Sequence, residues 1–230
     1  MPEVKNRASR LQRRSPRVRN LDTFIAMAGK TYFDENLSRV DRLIEIYRSI
    51  PGHVVSRRSI NAADVLRAAV VLLHASLEDL LRQIARHRIP LSGEQTLDEI
   101  PLKGMAGRAE KFSLGKLAAF RDKTVDDLIS ESVATYYDSA VTFNNVRDIS
   151  LVLEQSRIKQ DSVRRFYPLL ASMMQRRHQI VHRGDLTKRE AGGRTAEKLN
   201  AKTVTRWKSN TQRFGDKVLE LLAGERVPGF

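Results

Sequence analysis

Residues 61–88 read NAADVLRAAVVLLHASLEDLLRQIARHR, and this stretch decides the fold. Its apolar residues recur every three or four positions, as in an amphipathic helix with a broad buried stripe. That stripe consists of Leu66, Val70, Leu73, Leu77, Leu80, Leu81 and Ile84. Asn61, with Asp64 three residues on, fits a variant of the capping box, so we predict that the helix begins there. His74 falls on the inner face, and we interpret it as a core histidine.

The same spacing predicts helices along the rest of the chain. They are expected at 21–50 (ended by Pro51-Gly52), 124–137 (capped by Thr124 and Asp127), 145–153 (capped by Asn145 and Asp148), 168–183 (with Pro168 in the first turn), and a final helix carrying Val204, Trp207, Thr211, Phe214, Val218 and Leu221. We find no convincing strand alternation and no internal repeat. The prediction is an all-α fold, a bundle of four to five main helices.

Two segments do not follow this helical pattern. Residues 1–20 are rich in arginine and are expected to form a disordered or loosely docked arm, so that residues 21–230 form the domain. Residues 89–116 interleave glycines and prolines with basic residues such as Lys103 and Lys111. We interpret this second segment as an insertion between bundle helices that could move over a cleft.

Composition limits the classes of function. The chain has no cysteine, which excludes disulfides and thiolate metal sites. No apolar run approaches the roughly 18 residues of a membrane span, and no signal-peptide pattern opens the chain, so the cytoplasm is expected. The net charge is +14, and residues 21–230 alone carry 34 basic against 26 acidic residues. This charge indicates a polyanionic partner, most simply nucleic acid; a soluble protein of high pI is the alternative.

The helix at 168–183 ends in the stretch Arg176-Arg-His-Gln-Ile-Val-His-Arg-Gly-Asp185. Leu170, Met173, Arg177 and Val181 share one stripe of this helix. An arginine on a core-facing stripe is rarely fully buried without a partner, so either Arg177 extends to solvent or the stripe meets a wet cleft. Gly184 is a suitable C-terminal stop, which places His182 in or just past the last turn.

These residue types suit metal-independent RNA cleavage. RNA carries its own nucleophile, the 2′-OH, which must lose a proton while the departing 5′-oxygen gains one. A histidine can serve as the base or the acid, and an arginine can hold the phosphate oxygens and stabilise the charge of the transition state. His182 and Arg177 would supply these two functions without a metal or other cofactor.

The spacing of Arg177 and His182 resembles the R-x4-6-H signature of HEPN ribonucleases. The wider phrase Arg177-His-Gln-Ile-Val-His182-Arg-x-Asp185 is similar to the RiboL-PSP-HEPN branch, and residues 70–81 resemble the second helix of that branch. The resemblance implies a HEPN-like helical bundle and a metal-independent endoribonuclease with Arg177 and His182 in its active site. It also implies a homodimer whose paired motifs face one cleft. A further interpretation, compatible with the enzyme, is a member of a toxin–antitoxin or phage-defence pair, since a toxin or phage-defence effector of this kind needs a cognate antitoxin or other regulatory partner as a brake.

One geometric difficulty concerns Arg177 and His182 themselves. Residues five apart on a straight α-helix differ by about 140° in direction and about 7.5 Å in height. Either the helix loosens before Gly184, or a second subunit completes the site.

The other polar residues of the motif have open roles. We expect His178 to contact phosphate or a base, and Arg176 and Arg183 to be phosphate contacts at the cleft rim or solvated charges. Asp185 orients His182 or pairs with Arg183, while Glu78 orients Arg177 or His182 or is a surface residue. A His178–His182 metal site is not expected, because the Glu of H-E-x-x-H is missing and Asp185 is the one further ligand evident.

The alternative function is a non-catalytic, basic helical module that binds RNA or dimerises. The presence of both Arg177 and His182 favours the enzyme, because binding alone requires no imidazole.

Overall fold

The computed structural model describes residues 16–50, 57–102, 115, 118–184, 186–188, 194–196 and 198–224. For residues 16–26, 57–61 and the segments 186–188 and 194–196 it describes the backbone alone. Residues 1–15, most of the basic segment 103–117, and Asp185 therefore lie outside the described residues.

Seven α-helices have both ends within the described residues. They are α1 (Pro16–Ser49), α2 (Arg57–Arg88), α3 (Glu94–Leu97), α4 (Val125–Ser139), α5 (Val146–Gln155), α6 (Tyr167–Arg183) and α7 (Ala201–Gly224). Short 3₁₀ turns lie at Ile89–Leu91, Ala118–Phe120 and Arg164–Phe166. The predicted all-α fold is confirmed: the long helices α1, α2, α6 and α7 form the bundle, and α4 and α5 pack beside α2.

Helix α2 lies at the centre of this bundle. It packs against α1, α4, α5, α6 and α7, and each of the seven apolar residues of its predicted stripe is at most 1% exposed. Its start was predicted wrongly, since the helix begins at Arg57 and runs through Asn61. The Asp64 carboxylate, expected near a cap, instead accepts a hydrogen bond from the Arg67 guanidinium at 2.7 Å, one turn further on.

Other helix ends agree with the sequence. Thr124 and Asp127 form a reciprocal capping box at the start of α4, and the Asn145 side chain accepts from the backbone N–H of Asp148 at 3.0 Å. Pro168 lies in the first turn of α6. Helix α1, however, begins at Pro16, so the last five residues of the expected disordered arm are helical.

A small hairpin departs from a purely helical fold. Strands β1 (Leu186–Lys188) and β2 (Arg194–Ala196) pair antiparallel between α6 and α7, with Leu186 opposite Ala196. Three residues per strand are too few for a period-two pattern to appear in the sequence. The segment after α2 is partly ordered into the first 3₁₀ turn and α3, while the basic part of the predicted insertion lies outside the described residues.

None of the helices described is both long enough and apolar enough to span a bilayer.

Candidate functional site

The candidate site is carried by the C-terminal half of α6. The helix is anchored by Leu170, Met173 and Met174, which are at most 2% exposed. It ends at Gly184, whose φ of 57° and ψ of 26° lie in the left-handed region and whose backbone N–H donates to the carbonyl of Gln179. The predicted stop is confirmed, because a glycine adopts this conformation without a steric cost from Cβ. His182 is therefore in the last helical turn.

The helix is regular through the whole motif up to Arg183. Loosening of the helix before Gly184, one of the two expected solutions, is therefore wrong. Arg177 and His182 keep the roughly 140° separation of residues five apart on an α-helix. A single chain does not bring them together on one face.

Arg177 is half-buried where the core ends and polar residues begin. Its Nη1 donates to Oδ1 of Asn144, 3.2 Å away, in the loop between α4 and α5. The apolar stripe on which it lies runs from the fully buried Leu170 and Met173 to Val181, which is 47% exposed. The stripe thus leaves the core at Arg177, as its sequence predicted.

Glu78 faces Arg177 from α2. Burial alone would raise the pKa of this carboxyl, but neighbouring His74 and the charges of Arg82 and Arg177 outweigh burial and hold the pKa below its ordinary value. The Glu78 side chain is only 14% exposed, so it is not a surface residue. Of the roles left open by the sequence, the structure favours an electrostatic contact with Arg177.

The loop that holds Asn144 is itself tied to α2. Arg82 donates from Nε to the Tyr137 carbonyl at 3.0 Å and from Nη2 to the Val141 carbonyl at 3.3 Å. His74, only 1% exposed, places Nε2 at 3.2 Å from the carbonyl of Phe143. His74 is thus a core histidine, as interpreted from the sequence.

Sequence reasoning missed two residues of this support, Asn144 and Arg82. Phe143, buried with a φ of 44°, turns the loop so that Asn144 follows a left-handed residue. The Asn144-Asn145 pair was visible in the sequence, but only Asn145 had a cap partner, Asp148, to draw attention to it.

His178 and His182 form an exposed pair on the outer face of α6. Their ring centroids are 4.5 Å apart and the rings are tilted by 44°. A cavity of about 400 Å³, here called the histidine groove, runs beside His178, and His182 does not belong to its lining. Its lining consists of Asn144, Asn145, Val146, Ala171, Met174, Gln175, His178, Gln179 and Arg183. One imidazole, one guanidinium and several amide groups therefore face one open space.

Arg176 does not lie at the cleft rim as predicted. It is 5% exposed and lines a different cavity, between α6 and α7, together with Trp207 and Lys198. On the helix, Arg176 and Arg177 point about 100° apart, and α7 covers the flank that carries Arg176. Arg183 is exposed and lines the histidine groove, a position that fits both a phosphate contact at the rim and a solvated charge.

Within the described residues, no three His, Asp or Glu side chains gather into a group that could hold a metal ion. The His178–His182 pair has the i,i+4 spacing of a metal pair but no third ligand there. The predicted role of Asp185 concerns a residue outside those described.

Comparison with protein-family models, with curated proteins and with solved structures gives no match for this chain. Its function must be inferred from its own residues, charge and geometry.

Proposed function

We propose that this chain is a metal-independent RNA endonuclease of the HEPN type. The observation that carries the proposal is the exposed His178–His182 pair, 4.5 Å between ring centroids, at a capped helix end, with His178 lining the histidine groove. Imidazoles exchange protons readily near neutral pH, and the basic chain attracts a polyanion. Pure binding surfaces have little use for two adjacent imidazoles.

The reaction transfers two protons. One leaves the 2′-OH as its oxygen attacks phosphorus, and another is added to the 5′-oxygen as the P–O5′ bond breaks, leaving a 2′,3′-cyclic phosphate. His182 carries one transfer, and the second imidazole is His178 or the His182 of a second copy. Arg177, held by Asn144 at 3.2 Å, stabilises the charge on the non-bridging oxygens.

The active unit in this proposal is a homodimer. Since α6 is regular to Arg183, Arg177 and His182 of one chain face different directions. A two-fold axis beside the exposed face of α6 would bring the Arg177 of one copy to the His182 of the other. Val181, 47% exposed on this end of the helix, would contribute apolar contact area.

The resemblance to HEPN proteins also suggests a cytoplasmic toxin or phage-defence effector. Such an enzyme requires a brake, so a cognate antitoxin or regulatory partner belongs to this proposal.

The deciding test incubates the purified chain with mixed RNA in EDTA. We expect cleavage with cyclic-phosphate ends, and a loss of roughly 10²-fold or more in His182→Ala and in Arg177→Ala, the scale of a lost proton-transfer or charge-stabilising group. Arg206→Ala, which removes an exposed arginine of α7 away from the groove, is the matched control and should retain activity.

Wild-type rates in either motif variant would remove the motif from the mechanism. If RNA is bound but stays intact with the wild-type chain, the protein is a non-catalytic RNA-binding module instead.

A further inference from the structure

A second cavity, of about 330 Å³, lies between α6 and α7. It occupies the flank of α6 that carries Arg176, whereas the histidine groove occupies the flank that carries His178; these residues point about 160° apart on the helix. Its wall includes Arg176, Lys198, Thr203 and Trp207. The sequence motif and the proposed reaction make no use of this space.

The charge of the second cavity suits an anion. Arg176 is 5% exposed and Lys198 is exposed, and no carboxylate belongs to the lining among the described residues. A guanidinium away from bulk water attracts an anion more strongly than one on the open surface, because the local dielectric is lower. Gln175, Gln179 and Thr203 add neutral groups that can donate to oxygen.

Trp207 supplies an apolar surface beside these cations. The indole is 6% exposed and lines the same cavity. Proteins that bind single-stranded nucleic acid combine cations that hold the phosphate with an aromatic ring that meets the base. A volume of about 330 Å³ is in the lower range of small-molecule pockets, which suits one nucleotide unit.

The two cavities adjoin each other across α6. Gln175 and Gln179 line both of them. A strand that leaves the histidine groove over these two side chains would therefore arrive at Arg176 and Lys198.

We propose that the second cavity is a phosphoryl-binding site. Its occupant is a backbone phosphate of an RNA strand crossing α6, or the phosphate of a free nucleotide, since both present the same oxygens to Arg176 and Lys198. The RNA source rests on the proposed function, whereas the free nucleotide does not.

Trp207 is the only tryptophan of the chain, so its fluorescence reports on this cavity alone. The full-length protein is titrated at constant ionic strength with adenosine monophosphate and, separately, with a short 2′-O-methyl RNA, which lacks the nucleophile for cleavage. We expect a saturable fluorescence change. Lys198→Gln should weaken the apparent affinity about 3- to 10-fold, the scale of losing one ordinary hydrogen bond, because Lys198 is exposed to water. Arg176→Gln should weaken it further.

Lys202→Gln is the matched control, an exposed lysine in the first turn of α7 that does not line the cavity, and it should bind as the wild type does. A response to the oligonucleotide alone identifies an RNA subsite, and a response to the nucleotide alone identifies a small-ligand site. The proposal is overturned if the fluorescence responds to neither probe. It is also overturned if Lys198→Gln binds with wild-type affinity. Because Lys198 is exposed, misfolding of that variant would not explain a change in its affinity. A chain that fails to cleave RNA yet shows the fluorescence change would reject the nuclease and leave this site standing.

Discussion

At the scale of single residues, the groups around Arg177 determine how its guanidinium is held. Asn144 accepts its hydrogen bond, and the charge of the Glu78 carboxylate on α2 attracts it from a longer distance. Glu78 in turn lies 3.7 Å from both His74 and Arg82. A guanidinium held in this way loses little entropy when it meets a phosphate, which favours a role in transition-state stabilisation.

Glu78 makes stability depend on pH. Its pKa is lower in the folded chain than its ordinary value of 4.5, so the unfolded chain binds the proton first as the pH falls. The stabilising contribution is complete above about pH 4.5 and is lost as the pH falls through the folded-state pKa. We therefore expect Glu78→Gln to lower the free energy of unfolding at pH 6 and to flatten its decline as the pH falls below 4.5.

Urea unfolding across this pH range measures the effect. Glu45→Gln, at an exposed glutamate of α1, is the control and should keep the wild-type pH profile. Parallel acid limbs for Glu78→Gln and the wild type would contradict the prediction.

At the scale of elements, the position of α7 depends on one close approach. A Cβ added at Gly215 would lie 2.3 Å and 2.7 Å from ring carbons of Phe33 on α1, and 3.0 Å from Leu80 on α2. Both neighbours are at most 2% exposed and cannot move aside freely. The absence of a side chain at Gly215 lets α7 reach α1 and α2, and α7 in turn closes the flank of α6 that carries Arg176.

We expect Gly215→Ala to destabilise the fold by about 1–3 kcal/mol, the usual cost of overpacking a core. Gly29→Ala, on the facing helix α1, is the matched comparison, because its added Cβ would meet Gln83 and Leu219 only at 3.6 Å. That substitution should be neutral or stabilising by up to about 1 kcal/mol, since alanine favours a helix over glycine. The measurement is the free energy of unfolding of both variants in a chemical denaturant. Equal values for Gly215→Ala and Gly29→Ala would contradict the close approach at Gly215.

At the scale of the whole molecule, the proposed dimer predicts complementation. Arg177→Ala and His182→Ala are each inactive in the proposal, but a mixed dimer would hold one site with Arg177 from one copy and His182 from the other. Mixing the two variants should restore about a quarter of the wild-type activity, since half of the dimers are mixed and each carries one intact site of two. The measurement is RNA cleavage after co-refolding or subunit exchange.

Analytical sedimentation measures the mass of the species in solution alongside that test. A species at the 26.2 kDa of one chain, with activity linear in protein concentration, would reject the dimer. A dimer without complementation would show that each site is built within one chain.

The sequence by itself determined the helices and the candidate motif, because both are local. The stripe of α2, the Thr124–Asp127 box and the Gly184 stop depend on residues within a few turns of one another. Arg177 and His182 were found for the same reason, as they belong to one helix. The start of α2 and the hairpin were not found, because neither leaves a pattern in neighbouring residues.

Only the tertiary structure decided which residues surround each side chain of the motif. Arg177 binds Asn144 from a loop 33 residues away, and its neighbour Arg176 is buried by α7, although the two arginines are adjacent in the sequence. Helical periodicity gives the direction of a side chain around its own axis and contains nothing about which helix covers that direction. That choice depends on long-range packing, in which a single close approach such as that at Gly215 sets how near two helices can lie.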